Sequence, residues 1–223
     1  MRYPSAWLAG LSLGETIACE LRLQIINGTI KSGEVISENR IAADFNTSRS
    51  PVREALKSLS NEGLIRLERM GAVVLGLTRT DVEELYDVRF LIESFVQQRL
   101  AYADNTALTA SLLQLIDKME LAVKHGDIVE FAHLDFAFHE TIITAAAHTR
   151  ILHLWKSIRH IVLTVMLITT GEVFSEGEAK LETVIDKHRI IVSALASKNV
   201  DAIREVVETY FADSRTTLYH SLP

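Results

Sequence analysis

Residues Ser37 to Leu77 read SENRIAADFNTSRSPVREALKSLSNEGLIRLERMGAVVLGL, and the period of their apolar positions decides the architecture. A short helix is predicted over Glu38 to Phe45, then a tight turn through Asn46 and Thr47, then a second helix opening at Ser48. Ser48 suits the N-cap because its hydroxyl can accept from the free N–H groups of the first turn, and Pro51 is tolerated in a turn that needs no N–H donor. Val52, Ala55, Leu56 and Leu59 recur at the helical period as an inward stripe, while Arg49, Arg53 and Lys57, four apart, form a basic row on another face. Leu64 to Glu68 and Val73 to Leu77 read as two strands around Arg69, Met70, Gly71 and Ala72, a hairpin with its Gly at the tip. A helix-turn-helix followed by a hairpin is a winged helix.

A charged row on a helix is ordinarily a solvated face. Here the cations begin in the first turn, where the helix dipole disfavours them, and a bound anion such as a phosphate would recover that cost. Ser48 and Ser50 add small donors beside the arginines, at the end of a recognition helix that meets base edges and phosphates in a major groove.

The run FNTSRSPVREALKSLSNEGLIRLERMGAVV resembles the DNA-binding domain of GntR-family bacterial transcription regulators, whose signature is a Ser/Thr-Arg-x-Pro-Val-Arg-Glu-Ala-Leu recognition helix. The resemblance implies double-stranded operator DNA as partner and base contacts from Arg49 and Arg53. It also implicates the start of the preceding helix, Asn39 with Arg40, and a wing Gly, Gly71, entering the minor groove. A relative that binds fatty acyl-CoA carries Arg where this chain has Asn39. With Ser48, Ser50 and Lys57 these are the expected DNA-binding residues.

The 223 residues suffice for two domains with substantial cores. The single Cys19 excludes an internal disulfide framework and suits a reducing compartment. No apolar run approaches the roughly 18 residues of a membrane span, and the start MRYPSAWLAG lacks a signal peptide's basic leader and long apolar core. The expectation is a cytoplasmic protein with no membrane partner. The net charge of −6 is unpromising for a nucleic-acid binder until it is divided. Up to Arg79 there are ten Lys and Arg against eight Asp and Glu; from Thr80 onward there are thirteen against twenty-one. A weakly basic head and an acidic body suggest that only the head meets DNA.

Gly14 to Asn27 reads as a supporting helix ended by Gly28, with Ile17, Leu21 and Ile25 inward, and Tyr3 to Leu13 reads as an arm. After a capping box at Thr80 and Glu83 the strand signals stop. Helices are predicted near residues 80–102, 106–125, 127–147, 149–170, 178–197 and 199–219, with Gly171 to Glu178 as a candidate lid. The fold class is therefore mostly α: a winged helix-turn-helix over 1–79 and an all-α antiparallel bundle over 80–223. The runs VRFLIESFVQQRLA, LDFAFHETII and DKHRIIVSAL resemble the all-helical effector and dimerisation domain of the family's FadR-like branch. LIRLERMGAVV, FHETII and a His148 that stands where most members carry Asn most resemble the members that govern gluconate operons.

Winding each bundle helix at 100° per residue shows which ionisable groups point inward. Asp135 and His139 fall within the arc of Ile128, Phe131, Leu134, Phe138, Ile142 and Ile143; His188 lies between Val184, Ile185, Val192 and Leu195. Tyr210 sits among Ile203, Val206 and Val207, and Arg89 among Leu85, Val88, Ile92 and Val96, with Arg99 flanking that stripe. A lone inward His is ordinarily a satisfied core residue. Several buried charges together must pair or converge, and Asp135 with His139 at i, i+4 has a common two-ligand spacing for a divalent metal such as zinc. The family pattern implies Asp135, His139 and His188 as metal ligands, with Tyr210 where relatives carry a fourth, a His. An open metal position beside a buried Arg suits a carboxylate, so Arg89, Arg99 and Tyr210 are the expected effector-binding residues, for a small sugar acid, gluconate first. Three functions fit: a homodimeric repressor released from a palindromic operator by the acid, a metal-dependent hydrolase in a helical bundle, and a regulator that senses metal alone.

Overall fold

The computed structural model describes residues 2–69 and 71–221, with side chains through Ser214. The chain divides into two units between Thr78 and Arg79. In the first, a short 3-10 turn, Ser5–Leu8, precedes α1, Leu13–Ile26. A capping box sets the start of α1: the Ser12 hydroxyl accepts from Glu15 N–H and the Glu15 carboxylate accepts from Ser12 N–H. The remaining elements are β1 (Val35–Ser37), α2 (Glu38–Asp44), α3 (Arg49–Asn61), β2 (Ile65–Glu68) and β3 (Gly71–Val74). The Tyr3 to Leu13 arm is anchored, since Tyr3 is buried and meets the edge of Trp7.

The predicted stripe is the core: Val52, Ala55, Leu56 and Leu59 of α3 are buried in a unit whose α1 buries Ile17, Leu21, Leu23 and Ile25. Each of these buried Val, Leu and Ile side chains contributes about 1.5–3 kcal/mol. Gly14 lets the two helices approach, because a Cβ there would stand 2.9 Å from the Glu54 carboxylate and 3.2 Å from the Pro51 carbonyl. A buried ion pair ties their far ends, with Arg22 Nε and Nη2 each donating to Glu62 at 2.6 Å.

Two corrections concern the wing. The sheet has three antiparallel strands in the order β1-β3-β2, where two were expected. β1 escapes a reading by alternation because it is three residues long, with only Ile36 facing inward, and its last residue, Ser37, already caps α2 by accepting from Arg40 N–H. The last wing strand starts at Gly71, where Val73 was expected. Glu68 pairs with Gly71, and of the two residues between them Arg69 is in a turn and Met70 lies outside the described residues. Gly71 is thus buried within the sheet and not at its tip. Its φ is 155°, and a Cβ would lie 2.1 Å from the Ile36 carbonyl, so only Gly allows β1 to pair here.

The second unit is a bundle of six helices among the described residues: α4 (Arg79–Leu100), α5 (Thr106–His125), α6 (Ile128–Ala145), α7 (Thr149–Ser175), α8 (Glu178–Ser197) and α9 (Val200–Ser221). α6 packs against α4, α5 and α7, while α8 lies against α5 and α9. Gly126, left-handed at φ 65°, ends α5, and Asp127 then caps α6 by accepting from Glu130 N–H. His148 caps α7, its Nδ1 accepting from Ile151 N–H, which is a role Asn performs equally.

Two expectations fail here. α4 begins at Arg79, and Glu83 pairs with that residue across one turn at 3.4 Å while Thr80 stands inside the helix. α7 continues through Gly171 to Ser175 because Val173 is buried and Phe174 meets the edge of Phe131, so the expected lid shrinks to Glu176 and Gly177. α7 is also long and apolar enough by composition to span a membrane, with mean hydropathy 1.5 over an 18-residue window. It is a partly buried core helix: 44% of that window lies inside the protein, and α7 packs on α4, α6, α8 and α9.

Candidate functional site

In the first unit the basic row is on the surface. Arg49, Ser50, Arg53 and Lys57 of α3, Asn39 and Arg40 at the start of α2, and Ser48 between the helices are all exposed. Ser48 occupies the N-cap of α3 with extended backbone, yet its hydroxyl makes no capping bond, contrary to expectation. Arg53 is held by Glu38, donating Nε to both carboxylate oxygens at 3.0 Å, which leaves its Nη edge for another acceptor. Arg40 has only a loose, exposed pairing with Asp44 at 3.8 Å. Gly71 is inside the sheet, and Arg69 is an exposed residue of the wing turn that the sequence reading placed in the hairpin but not among the DNA-binding residues.

In the second unit the helical phases converge on one buried cluster. Asp135 Oδ1 stands 2.9 Å from His188 Nε2 and 3.5 Å from His139 Nε2. His139 Nδ1 is 2.6 Å from Glu93 Oε2, and its Nε2 is 2.8 Å from the Tyr210 hydroxyl. His188 Nδ1 is 2.7 Å from the Val184 carbonyl. Arg89 donates Nε to the other Glu93 oxygen at 2.7 Å, and its guanidinium lies against the Tyr86 and Phe211 rings. Glu93 was missed. Among the residues expected with the cluster, Val88 is 40% exposed, and Arg99 is exposed in the last turn of α4, about 15 Å along the axis from Arg89. Arg99 has no part in this site.

Burial works against every charge here, and the pairings oppose it. Burial would raise Asp135, but hydrogen bonds from His139 and His188 hold it well below the usual carboxylate range. Burial would likewise raise Glu93, but His139 and Arg89 hold it low. Burial would depress His139, but the Glu93 carboxylate beside it raises the imidazole above its ordinary value. Burial, followed by Asp135, pushes Tyr210 well above the normal phenol range, so it is neutral.

The proton positions follow from the partners. The Val184 carbonyl only accepts, so His188 Nδ1 carries hydrogen; ionised Glu93 only accepts, so His139 Nδ1 does too. In neutral imidazoles both Nε2 atoms then present lone pairs toward Asp135 Oδ1. Three acceptors converging in a buried space require positive charge between them. A proton shared between Asp135 and the imidazole nitrogens supplies it, and a divalent cation would supply it as well. Asp135, His139 and His188 present ligand atoms all within 4.8 Å of one another. The donor set of two imidazole nitrogens and one carboxylate, with the far nitrogens of both rings supported, fits zinc or a similar ion. Tyr210, kept as a neutral phenol bonded to His139, is a poor fourth ligand.

Beside the cluster lies a cavity of about 70 Å³, lined by Arg89, Asp135, Tyr210, Thr169, Thr170, Lys187 and Ser214 among others. Among the described residues Arg89 Nη2 is buried without a hydrogen-bond partner, an unmet donor on a residue that lines the cavity. Lys187 and the hydroxyl residues were also missed, being unremarkable on their own helices. A larger concavity of about 710 Å³ lies between α5 and α8, but its polar lining is largely of surface charges such as Glu120, Lys124, Glu182 and Arg189, with no convergent buried group.

Residues 13–75 match the family described as bacterial regulatory proteins, gntR family, and residues 84–213 match the FCD domain. A gluconate operon transcriptional repressor of Bacillus licheniformis is 40% identical over 95% of this chain and 87% of that protein. Its counterpart in Bacillus subtilis is 42% identical over 88% of this chain and 81% of that protein. Among solved structures, E. coli McbR/YncC shares the fold with a TM-score of 0.71 at 19% identity, covering 94% of this chain and 98% of that one.

Proposed function

This chain belongs to the gntR family of bacterial regulatory proteins and carries its FCD domain, and on that premise we propose that it is a cytoplasmic, homodimeric repressor of a sugar-acid operon. It is a transcriptional regulator; the hydrolase alternative does not stand in a family of regulators. In this reading α3 enters the major groove of a palindromic operator, with Arg49 and Arg53 reading base edges, and Ser48, Ser50 and Lys57 holding phosphates. Asn39 and Arg40 flank that contact, and Arg69 takes the minor-groove role first assigned to Gly71.

The bundle reads the signal. Asp135, His139 and His188 hold a divalent cation, which would supply a charged oxygen-binding point in the cavity wall. The effector's carboxylate takes the free Nη2 of Arg89, and its hydroxyls face Thr169, Thr170 and Ser214. That unmet buried donor beside three convergent ligand atoms is the observation that carries the proposal. Support for gluconate comes from the repressors that this chain resembles.

At about 70 Å³ the cavity is far smaller than the roughly 300–1,000 Å³ of ordinary small-ligand pockets, which suits a carboxylate group and not a six-carbon acid. The acid therefore binds a more open arrangement of α7 and α9 around the cavity, and this difference in affinity between two states makes binding a switch. The same small volume favours a second reading, a regulator of metal alone. Titrating gluconate against the protein on a palindromic DNA it has selected from a random pool, with zinc or with a chelator, separates the two. We expect release by gluconate only with zinc present; zinc-dependent DNA binding indifferent to gluconate would favour the metal sensor.

A further inference from the structure

We propose that Glu93 is the positioning residue of the metal site, holding the His139 ring with Nε2 on the side of Asp135, His188 and the Tyr210 hydroxyl. The inference rests on the metal reading above, and extends it to a residue outside the ligand set. Glu93 is fully buried on α4, and both its oxygens are engaged: Oε2 by His139 Nδ1 at 2.6 Å, Oε1 by Arg89 Nε at 2.7 Å. A carboxylate can only accept, so it selects the ring form with hydrogen on Nδ1 and the lone pair on Nε2, which is the form a metal needs. His188 gets the same service from the backbone carbonyl of Val184 in its own helix, at 2.7 Å. A backbone carbonyl one turn back orients a ring within one helix. Glu93 instead orients a ring of α6 from α4, and with the same carboxylate fixes the guanidinium at the cavity wall. One side chain thus sets the geometry of both the cation site and the anion-binding donor.

The test is Glu93→Gln in the full chain, with Zn²⁺ affinity measured by competition against a chelating dye, and circular dichroism and melting followed in parallel. The carboxamide keeps the volume, but its nitrogen cannot accept, so it cannot serve both Nδ1–H and Arg89. Loss of such an outer partner typically weakens metal binding about 10- to 100-fold, and that loss is expected here in a folded variant. A folded variant with a lower melting temperature but wild-type Zn²⁺ affinity would reduce Glu93 to a structural role and overturn the proposal. If the variant does not fold, ¹⁵N-histidine NMR of the Zn²⁺-loaded wild type decides: hydrogen on His139 Nδ1 is expected, and hydrogen on Nε2 overturns it. Wild type that takes up no Zn²⁺ at all would remove the metal reading itself, and the proposal with it, an outcome distinct from equal affinities.

Discussion

Arg53 and Arg89 carry the same guanidinium at opposite degrees of burial, and their partners differ accordingly. Arg53 is 64% exposed and steadied by Glu38, so it can meet DNA at little desolvation cost. We expect Arg49→Ala and Arg53→Ala each to weaken specific operator binding by about 1–3 kcal/mol, while Lys57→Ala weakens all sequences alike and lowers the salt dependence. Filter binding at several salt concentrations checks this; wild-type affinity in both arginine variants would contradict the winged-helix reading of the row. Arg89 is 2% exposed and must have an anion, which Glu93 provides. Helical phase could have found that partner, since Glu93 lies roughly 40° round the helix from Arg89, whereas Arg99 lies roughly 80° away. Asp135, His139 and His188 were legible because apolar neighbours surround each on its own helix. What could not be read is the bond from Glu93 to His139 on α6, because contacts across helices leave no trace in the periodicity of one.

The long helices were legible as elements because their periodic stripes outlast errors at the ends. Of the short strands, β2 was legible and β3 in part, but β1 was not. β1 has one inward residue, and β3 begins as early as Gly71 because a Gly with no Cβ lets it pair with β1 there. The Gly171 signal misled for the opposite reason, since packing of Val173 and Phe174 carries α7 past a residue that alone favours a break. On α4, Val88, Leu91 and Phe95 fall at i, i+3 and i+7, and are 40%, 65% and 46% exposed, an apolar row of the kind a second copy would cover. Leu91→Glu should therefore give a folded monomer at micromolar concentration by sedimentation, because a residue this exposed costs its own bundle little. A dimer of unchanged strength would locate the interface elsewhere.

At the scale of the whole chain, charge follows the division into units, with the basic excess before Arg79 and the acidic excess after it. That asymmetry was readable without structure and accords with DNA contact by the first unit alone. The link between the units was not readable, because it is a coupling free energy and belongs to two states of the molecule. Any acid that releases operator DNA must in turn be bound more weakly when operator is present, by the same factor. The most direct test is calorimetry of gluconate binding to the zinc-loaded protein, with and without saturating operator DNA. Binding is expected in its absence, weakened by operator as much as gluconate weakens operator binding, and lost in His139→Ala and His188→Ala variants that still bind operator normally. Gluconate bound equally well with and without operator, or bound normally by those variants, would contradict the account.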